Sequence, residues 1–391
     1  MLGRELTMWL TLIFGGAAAL FLGMSAAAVF HSRWVRRLPS LEELCVTLQG
    51  RPPIRCSVVL AARDEEARIE TTVRHLLAQT GVQVEIIVVD DRSTDRTSEI
   101  LQRLATEDTR LQVKRVEVLP EGWLGKCHAC HLGANAATGE WILFTDADCW
   151  LRPDVILRAL AVAERAKADH VTLTAGVVPE SAGAQAWHLA FLFSLANWFS
   201  GVNRDKPRKY LGMGAFNLVR ASAYRECGGY AALRLTVLDD VRFGLLLRRA
   251  GKRTRGFIGG ADAECHWSPT ARGMIKIMEK NFFAAMDYRL VPALVAGLGG
   301  MLVWCLAIIG PFTGTVAGIA AGLAVLSLML PAGIFARRLG WCFHGAALMP
   351  FIFPVLFYAM LNSAWVTVRQ GGVRWRETFY PLKDLRAGGV R

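Results

Sequence analysis

Apolar residues in this chain fall into short and long runs, and the two lengths imply two kinds of structure. Short runs occupy Ile54–Ala62, Val84–Val89, Val113–Val118 and Trp141–Phe144. Apart from Val113–Val118, which is expected as the third strand, each is nearly continuous in apolar character and bounded by polar or turn-forming residues, the pattern of strands covered on both faces of a parallel sheet. Helical periodicity lies between them. Ile69, Val73, Leu76 and Leu77 share one helical face, a second helix starts near Arg96, and a small-residue helix ends at Ala137. Strands alternating with helices predict right-handed crossovers and an α/β, doubly wound, mostly parallel sheet.

The long runs have membrane length. Leu6–Phe30 is about 25 residues without a charge, enough to span a bilayer. The basic stretch His31-Ser32-Arg33-Trp34-Val35-Arg36-Arg37 follows it and belongs in the cytoplasm by the positive-inside rule. Ala26-Ala27-Ala28 loosely resembles a cleavage site, but the core is too long and the basic residues lie on the wrong side for a cleaved signal peptide. The segment is therefore expected to be a signal anchor. Leu290–Pro331 holds about 40 uncharged residues, with Gly310-Pro311 near its middle, which suggests a hairpin of two spans. Arg337-Arg338 mark a cytoplasmic return. Trp341–Val366 then makes either a fourth span, placing the basic tail outside, or a helix bent at Pro350 and Pro354 that returns the tail inside. The expected organisation is an anchor over 6–30, a cytoplasmic globular domain over 51–289, about three spans over 290–366 and a tail over 367–391. That describes an integral membrane protein with its globular domain on the cytoplasmic face of the plasma (inner) membrane.

Composition narrows the function. A formal net charge of +12 invites a nucleic-acid reading, but the basic residues are scattered and several flank the long apolar runs, where anionic lipid accounts for them. Neither zinc-finger spacing nor an aromatic RNA-binding signature is present, and no nucleic-acid partner is expected. Nine cysteines do not make a disulfide framework in a chain of this size facing a reducing compartment. Cys127-His128-Ala129-Cys130-His131 spells a haem-attachment pattern, yet attachment needs an export compartment. No haem is expected.

The chemistry concentrates where the short strands end. In doubly wound sheets, ligands bind outside the carboxyl ends of the strands, and Glu65, Asp90-Asp91 and the pair Asp146 and Asp148 all fall there. Two carboxylates separated by one residue at a strand end can converge on a hard cation such as Mg²⁺ or Mn²⁺. Further on, Lys209–Val219 is Gly-rich and then apolar, and small residues there let backbone approach a ligand. Asp239-Asp240 opens an amphipathic helix, where Asp is ordinarily a cap. Gln185–Val202 is apolar almost all round, which suits either a core helix or an interfacial helix bearing Trp at headgroup depth.

Taken in order, these segments resemble the family 2 glycosyltransferases of GT-A fold, over roughly Ile54–Asn281. SVVLAARDEE resembles the family's first strand and turn, with Ala61 for a usual proline and Asp64 for a usual asparagine. IIVVDDRSTDRT resembles its nucleotide-recognition strand, and GKCHACHLGANAATGEWILFTDAD its lysine, helix and metal motif in order and spacing. The resemblance implies that Arg63 and Glu65 lie against a nucleotide-sugar, that Asp91 together with Asp90 holds the nucleobase, and that Lys126 holds the diphosphate. It implies that Asp146 acts at ribose and metal, that Asp148 is the principal ligand of Mg²⁺ or Mn²⁺, and that Gly214 lies in the strand closing the donor-sugar pocket. Asp240 takes the place of the catalytic base, with Asp239 where the family usually has Glu. His266 occupies a region where related enzymes place a metal ligand or substrate contact. UDP is the family's commonest carrier and the default donor.

Processive synthases of the family carry Gln-x-x-Arg-Trp after the base, and Arg272–Phe282 contains no such motif. A single transfer is therefore expected. One anchor before the domain and about three spans after it resemble the ceramide glucosyltransferase and hopanoid- or carotenoid-associated branches, which implies a lipid acceptor. The rivals are a polysaccharide synthase, a polyprenyl-phosphate glycosyltransferase and, from another class, a membrane scaffold that binds nucleotide-sugar without turnover.

Overall fold

The computed structural model describes residues 2–44, 53–177, 181–265 and 270–390. The chain divides into two compact units. One comprises Val35–Val178, Gly201–His266 and Lys383–Arg391; the other comprises Met1–Trp34, Pro179–Ser200 and Trp267–Leu382.

The first unit is built on a seven-stranded sheet. Its strands are β1 (Arg55–Ala62), β2 (Gln83–Asp91), β3 (Leu111–Val116), β4 (Trp141–Phe144), β6 (His170–Thr174), β8 (Asn217–Arg220) and β9 (Thr254–Ile258), in the order β3-β2-β1-β4-β8-β6-β9. All neighbours run parallel except β8, which is antiparallel to both β4 and β6. The sheet is thus mostly parallel, and it is flanked by helices, as the alternating pattern predicts. A small three-stranded sheet, β5 (Cys149–Leu151), β10 (Ala263–Cys265) and β7 (Gly176–Val177), lies in the same unit.

Burial explains which strands are visible in the sequence. Val58, Val59, Leu60, Ile86, Ile87, Val88 and Val89 are fully buried, so β1 and β2 read as unbroken apolar runs. The third strand is shifted from its expected place: it covers Leu111–Val116, and Val118 is 80% exposed. It is an edge strand whose register is set by Ile86 pairing with Leu111, with Gln112, Lys114 and Arg115 interrupting its apolar pattern.

Among the described residues, four helices have membrane length and composition: Arg4–Ser32, Leu290–Thr313, Val316–Leu339 and His344–Gln370. They belong to the second unit, with most of the helix Ala182–Asn203. That helix is apolar all round because it is packed. Trp187 is 2% exposed and clusters with Met274, Met278 and Ala359, and Gly345 has no room for a Cβ beside Gln185. Among the described residues, one pair of cysteines, Cys149 of β5 and Cys265 of β10, is bridged. The expectation that the cysteines form no framework is corrected to that extent, because strand pairing brings together residues 116 positions apart.

Candidate active site

The strand ends are fastened to one another before any ligand is considered. Ala62 pairs with Asp90, so the turn after β1 faces the turn after β2. Asp64 donates its N–H to Ser93 Oγ at 3.0 Å, Glu65 donates to Thr97 Oγ1 at 2.8 Å, and Asp64 Oδ1 accepts the N–H of Thr94 at 2.8 Å. Asp64 and Arg92 both hold left-handed backbone, at φ 53° and 61°, which short polar bonds of this kind stabilise.

The two adjacent aspartates of β2 have different roles in that frame. Asp90 is wholly buried; its Oδ1 accepts the N–H of Ser93 at 3.0 Å, and its Oδ2 lies 3.6 Å from Arg115. It shapes the turn. Asp91 is bound on both oxygens by Arg92, Nε to Oδ1 at 2.8 Å and Nη2 to Oδ2 at 3.2 Å. It also abuts the first residue of the helix Gly125–Ala136, since a Cβ on Gly125 would lie 2.1 Å from Asp91 Oδ2. Of the pair, Asp91 is therefore the one at the helix N-terminus, where anionic groups bind.

Asp146 and Asp148 follow β4, and their backbone is fixed from three sides. Thr145 donates its N–H to Val59 O and its hydroxyl to Ala215 O, and Thr72 donates its hydroxyl to Ala147 O at 2.7 Å. Burial, then the charges of Asp146 and Glu65, push the Asp148 carboxyl up to about 6. Arg68, 4.0 Å away, offsets only part of that. Carboxylates near enough to raise one another's proton affinity fit a hard divalent cation. Among the described residues, the group of three side chains whose ligand atoms lie close enough for a metal is Asp148, Cys149 and Cys265, but the bridge between the two cysteines removes their thiolates.

Lys126, in the first turn of its helix, joins the two acidic groups. Its Nζ lies 2.6 Å from Asp146 Oδ1 and 3.6 Å from Asp239 Oδ2. Burial alone would lower its pKa, but Asp146, Asp239 and Asp240 outweigh that and hold it well above the ordinary lysine value. Asp239 is 3% exposed and accepts the hydroxyl of Tyr230 at 3.1 Å. Enclosed by a lysine and a tyrosine, it is an anchor for Lys126.

Asp240 stands differently. Its Oδ2 accepts the N–H of Gly214 at 2.7 Å and its Oδ1 that of Val241 at 2.8 Å. Burial, then the charge of Asp239, raise it to about 6, with Lys126 pulling the other way. Glycine at two positions makes this approach possible. A Cβ on Gly212 would lie 1.9 Å from Asp240 O, and one on Gly214 would lie 2.5 Å from Asp146 Oδ2. Gly214 thus touches the metal motif with its Cα side and the candidate base with its N–H. Asn217 steadies the loop, its Oδ1 accepting Met213 N–H at 3.1 Å.

Residues 57–228 match the family model for glycosyl transferase family 2. That segment is similar to the family 2 glycosyltransferases. The chain is similar to a 4,4'-diaponeurosporenoate glycosyltransferase of Staphylococcus haemolyticus, 28% identical over 51% of this chain and 53% of that protein. It is also similar to a beta-monoglucosyldiacylglycerol synthase of Nostoc, 31% identical over 51% of this chain and 42% of that one. It therefore spans about half the length of the curated relatives it matches. Among solved structures it shares its fold with the mannosyltransferase PcManGT of Pyrobaculum calidifontis, in complex with GDP-Man and Mn2+, at TM-score 0.55 and 16% identity over 92% of this chain and 99% of that one. The fold is GT-A.

At these strand ends the structure gathers Glu65, Lys126, Asp146, Asp148 and Gly214 with Asp239 and Asp240, which follow the matched residues, and with Asp91; Arg63 is one residue before Asp64, whose carboxylate lies 3.8 Å from its Nε. His266 lies outside the described residues. Cys127 and Cys130 are buried in the Lys126 helix, and the Cys127 thiol donates to Thr236 O. Three contributors escape sequence reasoning: Tyr230 behind Asp239, Arg68 beside Asp148 and Arg92 on Asp91. A tyrosine after two positive-φ glycines, Gly228 and Gly229, carries no signal in sequence that it reaches a carboxylate nine residues away.

Proposed function

We propose that this chain is a membrane-bound, inverting, metal-dependent glycosyltransferase that moves one sugar from a nucleotide-diphosphate sugar, with UDP the working carrier, to a hydroxyl of a lipid. The observation that carries the reading is the Gly214 junction, where one residue binds the Asp240 carboxylate and abuts the Asp146 carboxylate. A proton acceptor and a charge-neutralising group are needed on either side of one transferred carbon, and that junction supports both.

Asp148, with Asp146, would hold Mg²⁺ or Mn²⁺, which when bound neutralises the diphosphate leaving group. Lys126 adds a fixed positive charge on the same side. Asp240 removes the acceptor proton as the hydroxyl oxygen bonds to the anomeric carbon and the bond to the diphosphate breaks, the electron pair leaving with the diphosphate. A direct displacement inverts the anomeric centre and needs no protein nucleophile. The names of the two relatives, which specify diaponeurosporenoate and diacylglycerol, support a lipid-like acceptor. Large exposed apolar residues on the long helices, such as Val295, Leu302, Val316 and Leu323, support their placement in a bilayer, and the basic residues after the first helix support a cytoplasmic domain.

The test is transfer from a panel of radiolabelled nucleotide-sugars into total membrane lipid, with Mn²⁺ or Mg²⁺ and with EDTA. The expected result is one EDTA-sensitive glycolipid, lost in Asp148→Ala. Asp240→Asn is expected to lower kcat by about 10²–10⁴-fold while the donor Kd is retained. Label in a long polymer would replace this reading by a processive synthase. Donor binding without any transfer or donor hydrolysis would replace it by a scaffold.

A further inference from the structure

The stretch Cys127-His128-Ala129-Cys130-His131 has no part in the proposed reaction, yet one of its residues stands beside Asp91. His128 is 9% exposed, and among the described residues its Nδ1 has neither a hydrogen-bond partner nor access to water. Buried polar atoms are nearly always paired, so one left open asks for a ligand. We propose that His128 reads the nucleobase: with Asp91 it selects a nucleotide whose base offers a ring N–H beside a C=O. Uracil and guanine share that edge, and cytosine and adenine lack it. The proposal rests on the nucleotide-sugar reading above and deepens it.

The first turn of the Lys126 helix brings the two residues together. A Cβ on Gly125 would lie 2.1 Å from Asp91 Oδ2 and 3.0 Å from Arg92 Nη2. Residues three apart share a helical face, so His128 lies one turn along the side of the helix that meets Asp91. The backbone of this turn is fixed, for His128 donates its N–H to Leu124 O at 2.9 Å and Leu124 donates to Arg234 O at 2.7 Å. The imidazole is fixed too. Trp123 packs edge-on against it, with ring centroids 5.3 Å apart at 69°. Trp123 is itself held, stacked on His131 at 5.1 Å with the Arg234 guanidinium 5.7 Å from its ring centroid. Burial lowers the His128 pKa, and the charge of Asp91, the next largest influence, pulls the other way. The ring is thereby kept neutral, with one N–H.

What the pair can recognise follows from donors and acceptors. An ionised carboxylate only accepts. Arg92 occupies one acceptor position on each oxygen of Asp91, and each oxygen keeps another. A base held there must therefore present an N–H. In uracil and guanine the neighbouring ring carbon carries a carbonyl oxygen, which needs a donor, and the neutral imidazole with its proton on Nδ1 supplies one. In cytosine and adenine the ring nitrogen has no proton and the neighbouring group is an amine. Acceptor would then meet acceptor at Asp91, and donor would meet donor at His128. Leaving both protein groups unpaired is what makes a polar site reject the wrong ligand strongly.

The test is binding of UDP, GDP, CDP, ADP and inorganic pyrophosphate to the full chain in detergent with Mn²⁺, measured by calorimetry. UDP or GDP, whichever ring size fits, is expected to bind at least about tenfold more tightly than CDP or ADP of the same ring size. His128→Phe keeps a ring against Trp123 but has no N–H. It is expected to weaken the preferred nucleotide by about tenfold or more and to leave pyrophosphate, which has no base, unchanged. His128→Asn carries an amide N–H near the position of Nδ1 and is expected to restore most of the affinity. In transfer assays His128→Phe is expected to raise the donor KM far more than it lowers kcat. Full nucleotide affinity in His128→Phe overturns the proposal. Equal loss of nucleotide and pyrophosphate also overturns it, since a purely structural histidine would behave that way. So does a wild-type chain that binds nucleotides without preferring UDP or GDP. A wild-type chain that binds neither nucleotide nor pyrophosphate overturns the nucleotide-sugar reading itself, and this proposal with it.

Discussion

Two neighbouring aspartates, Asp239 and Asp240, have different chemistry because their partners differ. Asp239 meets the cation of Lys126 and the hydroxyl of Tyr230, whereas Asp240 meets two backbone N–H groups and a like charge. A base works ionised, so kcat/KM is expected to be full above the Asp240 pKa and to fall as pH drops through about 6. Asp239→Asn removes the second cause of the raised value, and the acid limb is expected to move to lower pH. A limb that stays in place or moves upward in that variant would contradict the assignment. Tyr230→Phe leaves a buried carboxylate short of one donor and is expected to cost about 1–3 kcal/mol of stability, read from the shift in denaturation midpoint. None of these partnerships is readable from residue types. The acidic pair is visible in the sequence, but Tyr230 becomes its partner only because the chain between them folds back.

At the scale of elements, legibility follows burial. Strands β1, β2 and β4 are buried on both faces and were readable as continuous apolar runs to within one or two residues. Strand β6, His170–Thr174, is equally buried but disguised. His170 bonds Asn217 and Thr254, and Thr172 bonds Phe216 O, so polar residues occupy a core strand with their hydrogen bonds satisfied. The Lys126 helix packs on the sheet through Gly133, where a Cβ would lie 2.4 Å from Val59 Cγ1. Gly133→Val overfills that contact and is expected to destabilise the domain by roughly 1–3 kcal/mol, measured as a lowered Tm. An unchanged Tm would show that helix and sheet can separate without penalty. The apolar pattern of Gln185–Val202 leaves a core helix and an interfacial one open, and packing of Trp187 among Met274, Met278 and Ala359 selects the core for that face.

For the whole molecule, the deciding quantity is which segments share a unit. The tail, Lys383–Arg391, is part of the unit that carries the candidate site, so a change remote from the chemistry in sequence is expected to reach it. Gly388→Val would drive a branched side chain into Leu235 and displace the loop before Asp239. Because a displacement of about 1 Å at a positioned group can cost about 10²-fold, kcat is expected to fall by up to about that factor, with the protein still membrane-bound and folded by circular dichroism. Full activity in Gly388→Val would show that the tail contact does not position the loop.

The amino-acid sequence by itself determined the alternation of strands and helices, the long apolar segments and the placing of acidic residues at strand ends, because periodicity, hydropathy and turn chemistry are local properties. Tertiary structure alone decided which acidic residues face a lysine, a backbone N–H or each other. It also decided the antiparallel insertion of β8, the Cys149–Cys265 bridge and the packing of Gly388 against Leu235. Each of those depends on residues far apart in the chain becoming neighbours, and the free energy of a buried charge or a close backbone contact is set by those neighbours rather than by the residue type.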